Sequence, residues 1–274
     1  MHRYLHYLTI ACLIVIGTAC STPNESNNTE HTIASEPLTK QERALKRAAE
    51  AIEAKKKEKP VSFPKPQIGK VKEFFQRYGY ENQETNVRLK TRLGNIDIRL
   101  YEETPLHRAN FIYNIKNELY YRTIFYRVIP AFMVQGGNSD NDRTLEKREH
   151  AGSYYIPNET QEGLIHKRGA VAMAMMYDDN PDLKSSQYSF YIVIGKPISE
   201  AGLDAVEEEY GITIPEKDRD IYKAVGGTPH LDMKHTVFGE VTQGMDVVEA
   251  IAAEDRDTGD WPITDVIIDY EILD

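Results

Sequence analysis

Phe125-Tyr126-Arg127-Val128-Ile129-Pro130-Ala131-Phe132-Met133-Val134-Gln135-Gly136-Gly137 runs through the middle of the chain. One guanidinium, Arg127, and one carboxamide, Gln135, stand among the apolar side chains of Phe125, Val128, Ile129, Phe132, Met133 and Val134. Alternate residues of a strand share a face, so Phe125 and Arg127 are expected to point together, as are Met133 and Gln135. A charged donor would then flank an apolar pocket, which suits a small apolar ring carrying an amide. The residues leave one alternative open, an ordinary half-buried strand pair with a snorkelling arginine. Gly136-Gly137 lacks the Lys-Ser/Thr pair and the helix of a phosphate loop.

Working outward, Val87 to Thr91 and Ile96 to Leu100 alternate apolar and polar residues around Leu93-Gly94-Asn95, a β-hairpin signal. Thr104-Pro105 predicts a helix with Thr104 as N-cap and Pro105 at its first position. Ile112, Ile115 and Leu119 mark one face of it. Strands are expected over Thr123 to Arg127 and Phe132 to Gln135, then at 169–175, 189–194 and 235–241. A helix after Gly244 and a last strand from Val266 to Ile272 complete the pattern. Many short strands with two main helices predict a mostly β fold, a closed antiparallel barrel rather than a parallel sheet. Residues 196–229 read as a helical insertion. Ser199 caps a helix with Leu203, Val206 and Tyr210, and a second helix runs from Pro215 to Gly226-Gly227. The insertion holds no cluster with obvious chemistry and reads as decoration of the barrel.

These blocks together resemble the cyclophilins, the peptidyl-prolyl cis–trans isomerases, whose usual signature reads F-H-R-V-I-P-G-F-M-x-Q-G-G. Further matching blocks are His166-Lys167-Arg168-Gly169-Ala170-Val171-Ala172-Met173-Ala174 with Ser189-Phe190-Tyr191-Ile192-Val193, and Leu231-Asp232-Met233-Lys234-His235-Thr236-Val237-Phe238-Gly239-Glu240-Val241. The resemblance spans residues 86–274 and implies an eight-stranded closed β-barrel capped by two helices. It places the catalytic arginine at Arg127 and the peptide-contacting glutamine at Gln135. Phe132, Met133, Tyr191 and Leu231 fall on the proline pocket, with His235 as a pocket wall or hydrogen-bonding residue. The implied substrates are proline-containing polypeptides, with no metal or other cofactor. Tyr126 stands where His is common, Ala131 where Gly is, Met175 where Asn is and Ser189 where Gln is. Tyr191 adds a hydroxyl to the usual Phe, and His230 stands where many eukaryotic members have Trp. Gln187 is a candidate replacement for the missing glutamine. The competing function is a non-catalytic proline-peptide-binding or chaperone module using the same pocket.

The N-terminus carries a basic residue, Arg3, an apolar run from Leu8 to Ile16, and Gly17-Thr18-Ala19-Cys20. This looks like a bacterial lipoprotein signal over residues 1–19 with Cys20 as the lipidated residue, although Gly17 stands where Leu is usual. Of two cysteines, Cys12 would leave with the signal, so no disulfide framework and no Cys-based zinc site is expected. Residues 20–85 are expected to form a tether. It would be polar and disordered to about Pro37, helical over Lys40 to Lys59, and broken by Pro60, Pro64 and Pro66. The expected site is the cell envelope, on the outer membrane facing the periplasm, with a monomeric domain. The net charge of -10 argues against nucleic acid as the main partner.

Overall fold

The expected hairpin forms as β1 (Asn86–Thr91) and β2 (Gly94–Leu100), with Leu89 opposite Ile96 and both buried. The computed structural model describes residues 62–274. The signal segment, Cys20 and the helix expected over 40–59 lie outside the described residues. Six further strands follow: β3 (Thr123–Ile129), β4 (Met133–Asn138), β5 (Ala170–Met175), β6 (Ser185–Val193), β7 (Val237–Gln243) and β8 (Val266–Ile272). They close into an antiparallel barrel in the order β1-β2-β7-β5-β6-β4-β3-β8. Closure leaves no open sheet edge.

Inward-facing residues of every strand meet in one core: Leu89, Ile98, Phe125, Val134, Val171, Phe190, Phe238 and Ile268 among them. Helix α2 (Pro105–Lys116) and helix α6 (Met245–Ala252) add Phe111, Ile112, Val248 and Ile251 to that core. Phe111 meets Phe190 edge-on at 5.4 Å. Gly136 is needed at this packing density, because a Cβ there would lie 3.0–3.2 Å from Ile268, Phe125 and Phe190. Gly137 has φ +102 and its Cβ would strike the Tyr188 carbonyl at 2.2 Å. Thr104 sits at the N-cap of α2, but its side chain makes no capping bond. Glu159 supplies the cap, accepting from the Leu106 and His107 N–H groups at 3.0 and 2.9 Å.

Packing on the barrel's first cap begins ahead of residue 86. Helix α1 (Val71–Glu81) lies on α2 and buries Phe74 and Phe75 against Leu106, Ala109 and Tyr113. Gly79 allows this approach, since a Cβ there would come 3.1 Å from the Ala109 Cβ. Tyr113 donates its hydroxyl to the Pro64 carbonyl at 2.9 Å, and Phe63 packs edge-on against Tyr113 at 5.9 Å. The aromatic stripe at 74, 75 and 78 has helical spacing, and its burial fixes this segment on the domain.

Helix α3 (Asp142–Ala151) follows β4 and is held by Arg148, which donates to the Leu119 and Gly137 carbonyls at 2.9 and 2.8 Å. The insertion forms α4 (Glu200–Tyr210), capped by Ser199, and α5 (Glu216–Val225). A short 3-10 turn, Pro229–Leu231, leads out of it. Leu203, Ile214 and Tyr222 make its own small core with Ile165. Among the described residues, no helix is long and apolar enough to cross a membrane, and no group of three or more His, Cys, Asp or Glu could hold a metal ion.

Candidate functional site

The outer face of the barrel, not its interior, carries the predicted residues. Arg127 on β3 pairs with Gln135 on β4, Gln135 with Tyr191 on β6, and Tyr191 with Ala172 on β5. These four positions form one row across the strands. Met133 and Gln135 share the outer face as alternation requires, while Val134 between them is fully buried in the core. Phe125 and Arg127 do not point together. A bulge at this point lets β3 advance from Phe125 to Arg127 while β4 advances only from Gly136 to Gln135. Phe125 therefore stays in the barrel core and the Arg127 side chain turns out, 45% exposed. Bulges re-aim side chains in this way, and strict alternation cannot foresee one.

Beside the row lies a separate apolar cluster of Met133, Tyr191, Val193, Leu231 and Val237, with Phe132 half-buried at its margin. Ala170 and Ala172 belong to it, their short side chains set among the larger ones. Phe132 reaches this margin from the turn after β3, where its N–H bonds the Ile129 carbonyl at 3.1 Å. Ala131 in that turn has φ +63, the left-handed region that explains a usual glycine and costs an alanine about 1–2 kcal/mol.

Gln135 donates its amide to the Tyr126 hydroxyl, which in turn donates to Ser189 Oγ at 3.3 Å. Tyr126 thus bridges the strand carrying Gln135 to the residue that replaces the usual glutamine. Burial pushes the Tyr126 phenol up, with those two bonds partly opposing it. Gln187 does not fill the missing position. Its amide is committed to the Tyr154 N–H and the Gly152 carbonyl, both at 3.0 Å, at the end of α3.

His235 is buried, its Nδ1–H donating to the Met173 carbonyl at 3.3 Å and its Nε2 accepting from the Tyr177 hydroxyl at 2.8 Å. Burial, then the neighbouring His166, lowers its pKa to about 4, so it is neutral at pH 7. Its ring stands edge-on to Tyr191 at 5.7 Å, which makes it a wall rather than a charged donor.

Three contributors escape sequence reasoning. Asp260 sets a carboxylate oxygen 3.8 Å from Arg127 Nε, and its carbonyl accepts from the Val128 N–H at 2.9 Å. It comes from the loop before β8, far along the chain, and no spacing signals it. Tyr177, 70% exposed, covers His235 from the β5–β6 loop. His166 is wholly buried and accepts the Tyr191 hydroxyl on Nε2 at 3.0 Å. It sits in a matched block, but only the fold shows its partner.

An exposed guanidinium beside an apolar cluster, with the Gln135 carboxamide paired to it across the strands, has the chemistry to bind a proline ring and address its amide nitrogen. Residues 86–271 match the sequence pattern of the family described as cyclophilin type peptidyl-prolyl cis-trans isomerase/CLD. A peptidyl-prolyl cis-trans isomerase of Acinetobacter baylyi is 35% identical over 169 residues, covering 61% of this chain and 72% of that protein. A relative from Staphylococcus haemolyticus is 30% identical over 190 residues, 69% of this chain and 91% of its own length. The crystal structure of a Cryptosporidium parvum cyclophilin type peptidyl-prolyl cis-trans isomerase superposes with a TM-score of 0.50 at 21% identity, covering 70% of this chain and 98% of that one. At that identity the likeness speaks for the fold alone. Barrel, outer-face row and family match agree, and the chain belongs to the cyclophilin-type peptidyl-prolyl cis–trans isomerases.

Proposed function

We propose that this isomerase acts on exported polypeptides, tethered to a bacterial membrane by lipid on Cys20, with Arg127 as its principal catalytic group. An X-Pro amide rotates over a barrier of about 18–20 kcal/mol because resonance holds it planar. Twisting it returns the lone pair to the proline nitrogen. A charged donor aimed there stabilises the twisted amide and leaves the planar one alone, which is the requirement for raising turnover. Arg127 suits this because guanidinium never loses its proton and presents several donors in a fixed fork.

Phe132, Met133, Tyr191 and Leu231 are the surfaces that grip the pyrrolidine ring while the rest of the peptide turns. Gln135 fixes a backbone group of the substrate, exchanging its bond to Tyr126 for one to the peptide. No covalent step and no cofactor enters this scheme.

The observation that carries the reading is the cross-strand row Arg127–Gln135–Tyr191 bordering the apolar cluster of Met133, Tyr191 and Leu231. Isomerisation of a short X-Pro peptide by the wild-type chain and Arg127→Ala tests it. The variant should lose on the order of 100-fold in kcat, the scale for removing one preorganised donor, with KM within a few-fold. An unchanged rate would remove Arg127 from the mechanism. Binding of the peptide without acceleration in the wild type would favour the non-catalytic module, a reading to which the Asp260 carboxylate beside Arg127 lends some support.

A further inference from the structure

The insertion touches the proline site in two places. From below, the Tyr222 hydroxyl on α5 donates to Asp232 Oδ2 at 2.6 Å. The other oxygen of Asp232 accepts the His166 backbone N–H and Nδ1–H, each at 2.8 Å. The other ring nitrogen of His166, Nε2, hydrogen-bonds the Tyr191 hydroxyl at 3.0 Å. His166 and Tyr222 are fully buried. The phenol that Tyr191 carries beyond a phenylalanine therefore ends on a hydrogen-bonded chain whose last member belongs to the insertion.

From the side, Tyr210 at the end of α4 stacks on His230 with ring centroids 4.8 Å apart. His230 in turn stacks on Phe132 at 6.0 Å. Tyr210 remains 42% exposed, so it prolongs the aromatic margin of the cluster outward from Phe132.

We propose that the 196–229 insertion is a working part of the proline site: Tyr222 positions the Tyr191 ring through Asp232 and His166, and Tyr210 adds a stacking surface for a planar side chain flanking the proline. This rests on the isomerase site described above. Tyr222 touches no substrate and acts only as a positioning residue. Tyr191 is the ring it positions, and Tyr210 sets preference among peptides.

The test uses the full chain, an X-Pro tetrapeptide, and a double-mutant cycle of Tyr222→Phe and Tyr191→Phe. Each variant is followed by kcat, KM, thermal midpoint and peptide Kd, the last from the fluorescence of Trp261, which lies 5.8 Å from Tyr126. Tyr222→Phe should raise KM and Kd about fivefold, the scale of one lost hydrogen bond, with kcat within about twofold. That effect should vanish in the Tyr191→Phe background, because the relay is already cut there.

A merely structural Tyr222 would lower the thermal midpoint, leave KM and Kd unmoved, and overturn the proposal. An effect that persists undiminished without the Tyr191 hydroxyl would overturn it equally. Tyr210→Ala should weaken peptides with Phe beside the proline about fivefold, within the usual worth of an aromatic pair, and leave those with Gly there unchanged. Equal losses for both peptides would remove Tyr210 from recognition. Were the wild type to bind but not isomerise, the Kd arms of the cycle would still decide the inference, so the two readings fail separately.

Discussion

Arg127 faces a competing anion even in the free protein. At 3.8 Å and with both side chains substantially exposed, its pair with Asp260 is the kind worth about 0–1 kcal/mol. A substrate amide can displace it at little cost. His235 is the opposite case, a buried group whose charge is suppressed. Its folded pKa of about 4 lies below the ordinary 6.5, driven by burial and then by His166, Lys234 and His230, with the Met173 carbonyl opposing. Between those two values the unfolded chain binds a proton that the folded chain refuses. Stability should therefore fall as pH drops from about 6.5 to about 4, by up to about 3 kcal/mol in total, and be indifferent to His235 above that window. Urea denaturation from pH 4 to 8 checks this, with His235→Gln for comparison. The variant should show a flatter profile on the acid side; an identical slope would mean that His235 titrates normally in the fold.

Helix α1 and the insertion both lie beyond the barrel's caps and differ in what they contribute. Helix α1 packs on α2, on a cluster separate from the one beside Arg127, so its role is stability. Phe75 is wholly buried among Tyr113, Tyr154 and their neighbours. Phe75→Ala should cost about 3–5 kcal/mol, the range for emptying a buried aromatic site, while kcat per folded molecule stays at the wild-type value. Chemical denaturation alongside peptide isomerisation would show this, and a loss of kcat in fully folded variant would place α1 in the site instead. Strands and caps were legible because alternation, Gly-Asn turns and Thr-Pro starts are local signals, and the insertion's helices showed through Ser199 and Pro215. Helix α1 carried its own signal in Phe74, Phe75 and Tyr78, overshadowed by the prolines before it. The Arg127 bulge, the Glu159 cap and the Asp260 contact were not legible. Each depends on a partner distant in sequence or on a register shift that no single strand records.

The barrel closes within the described residues and carries its candidate site on the outer face, with no contribution from the proposed anchor. The packed domain extends back at least to Phe63, so the proposed spacer between Cys20 and the domain is confined to about the first sixty residues. Two or three acyl chains on one cysteine satisfy the two-signal requirement for stable anchoring, which a single chain would not. The anchor is expected to set where the enzyme meets its substrates, not how fast it turns them over. The protein purified from a bacterial membrane fraction should begin at Cys20, and mass spectrometry of its N-terminal peptide should show the mass of a diacylglycerol, with or without a third acyl chain. Cys20→Ser should abolish incorporation of labelled fatty acid while isomerisation of a soluble X-Pro peptide remains unchanged. A mature N-terminus elsewhere, or Cys20 recovered as a free thiol, would overturn the lipid anchor and leave the isomerase standing. The tether would then need another explanation, since a basic stretch of eight Lys and Arg against four Glu over residues 40–59 also suits an anionic membrane surface.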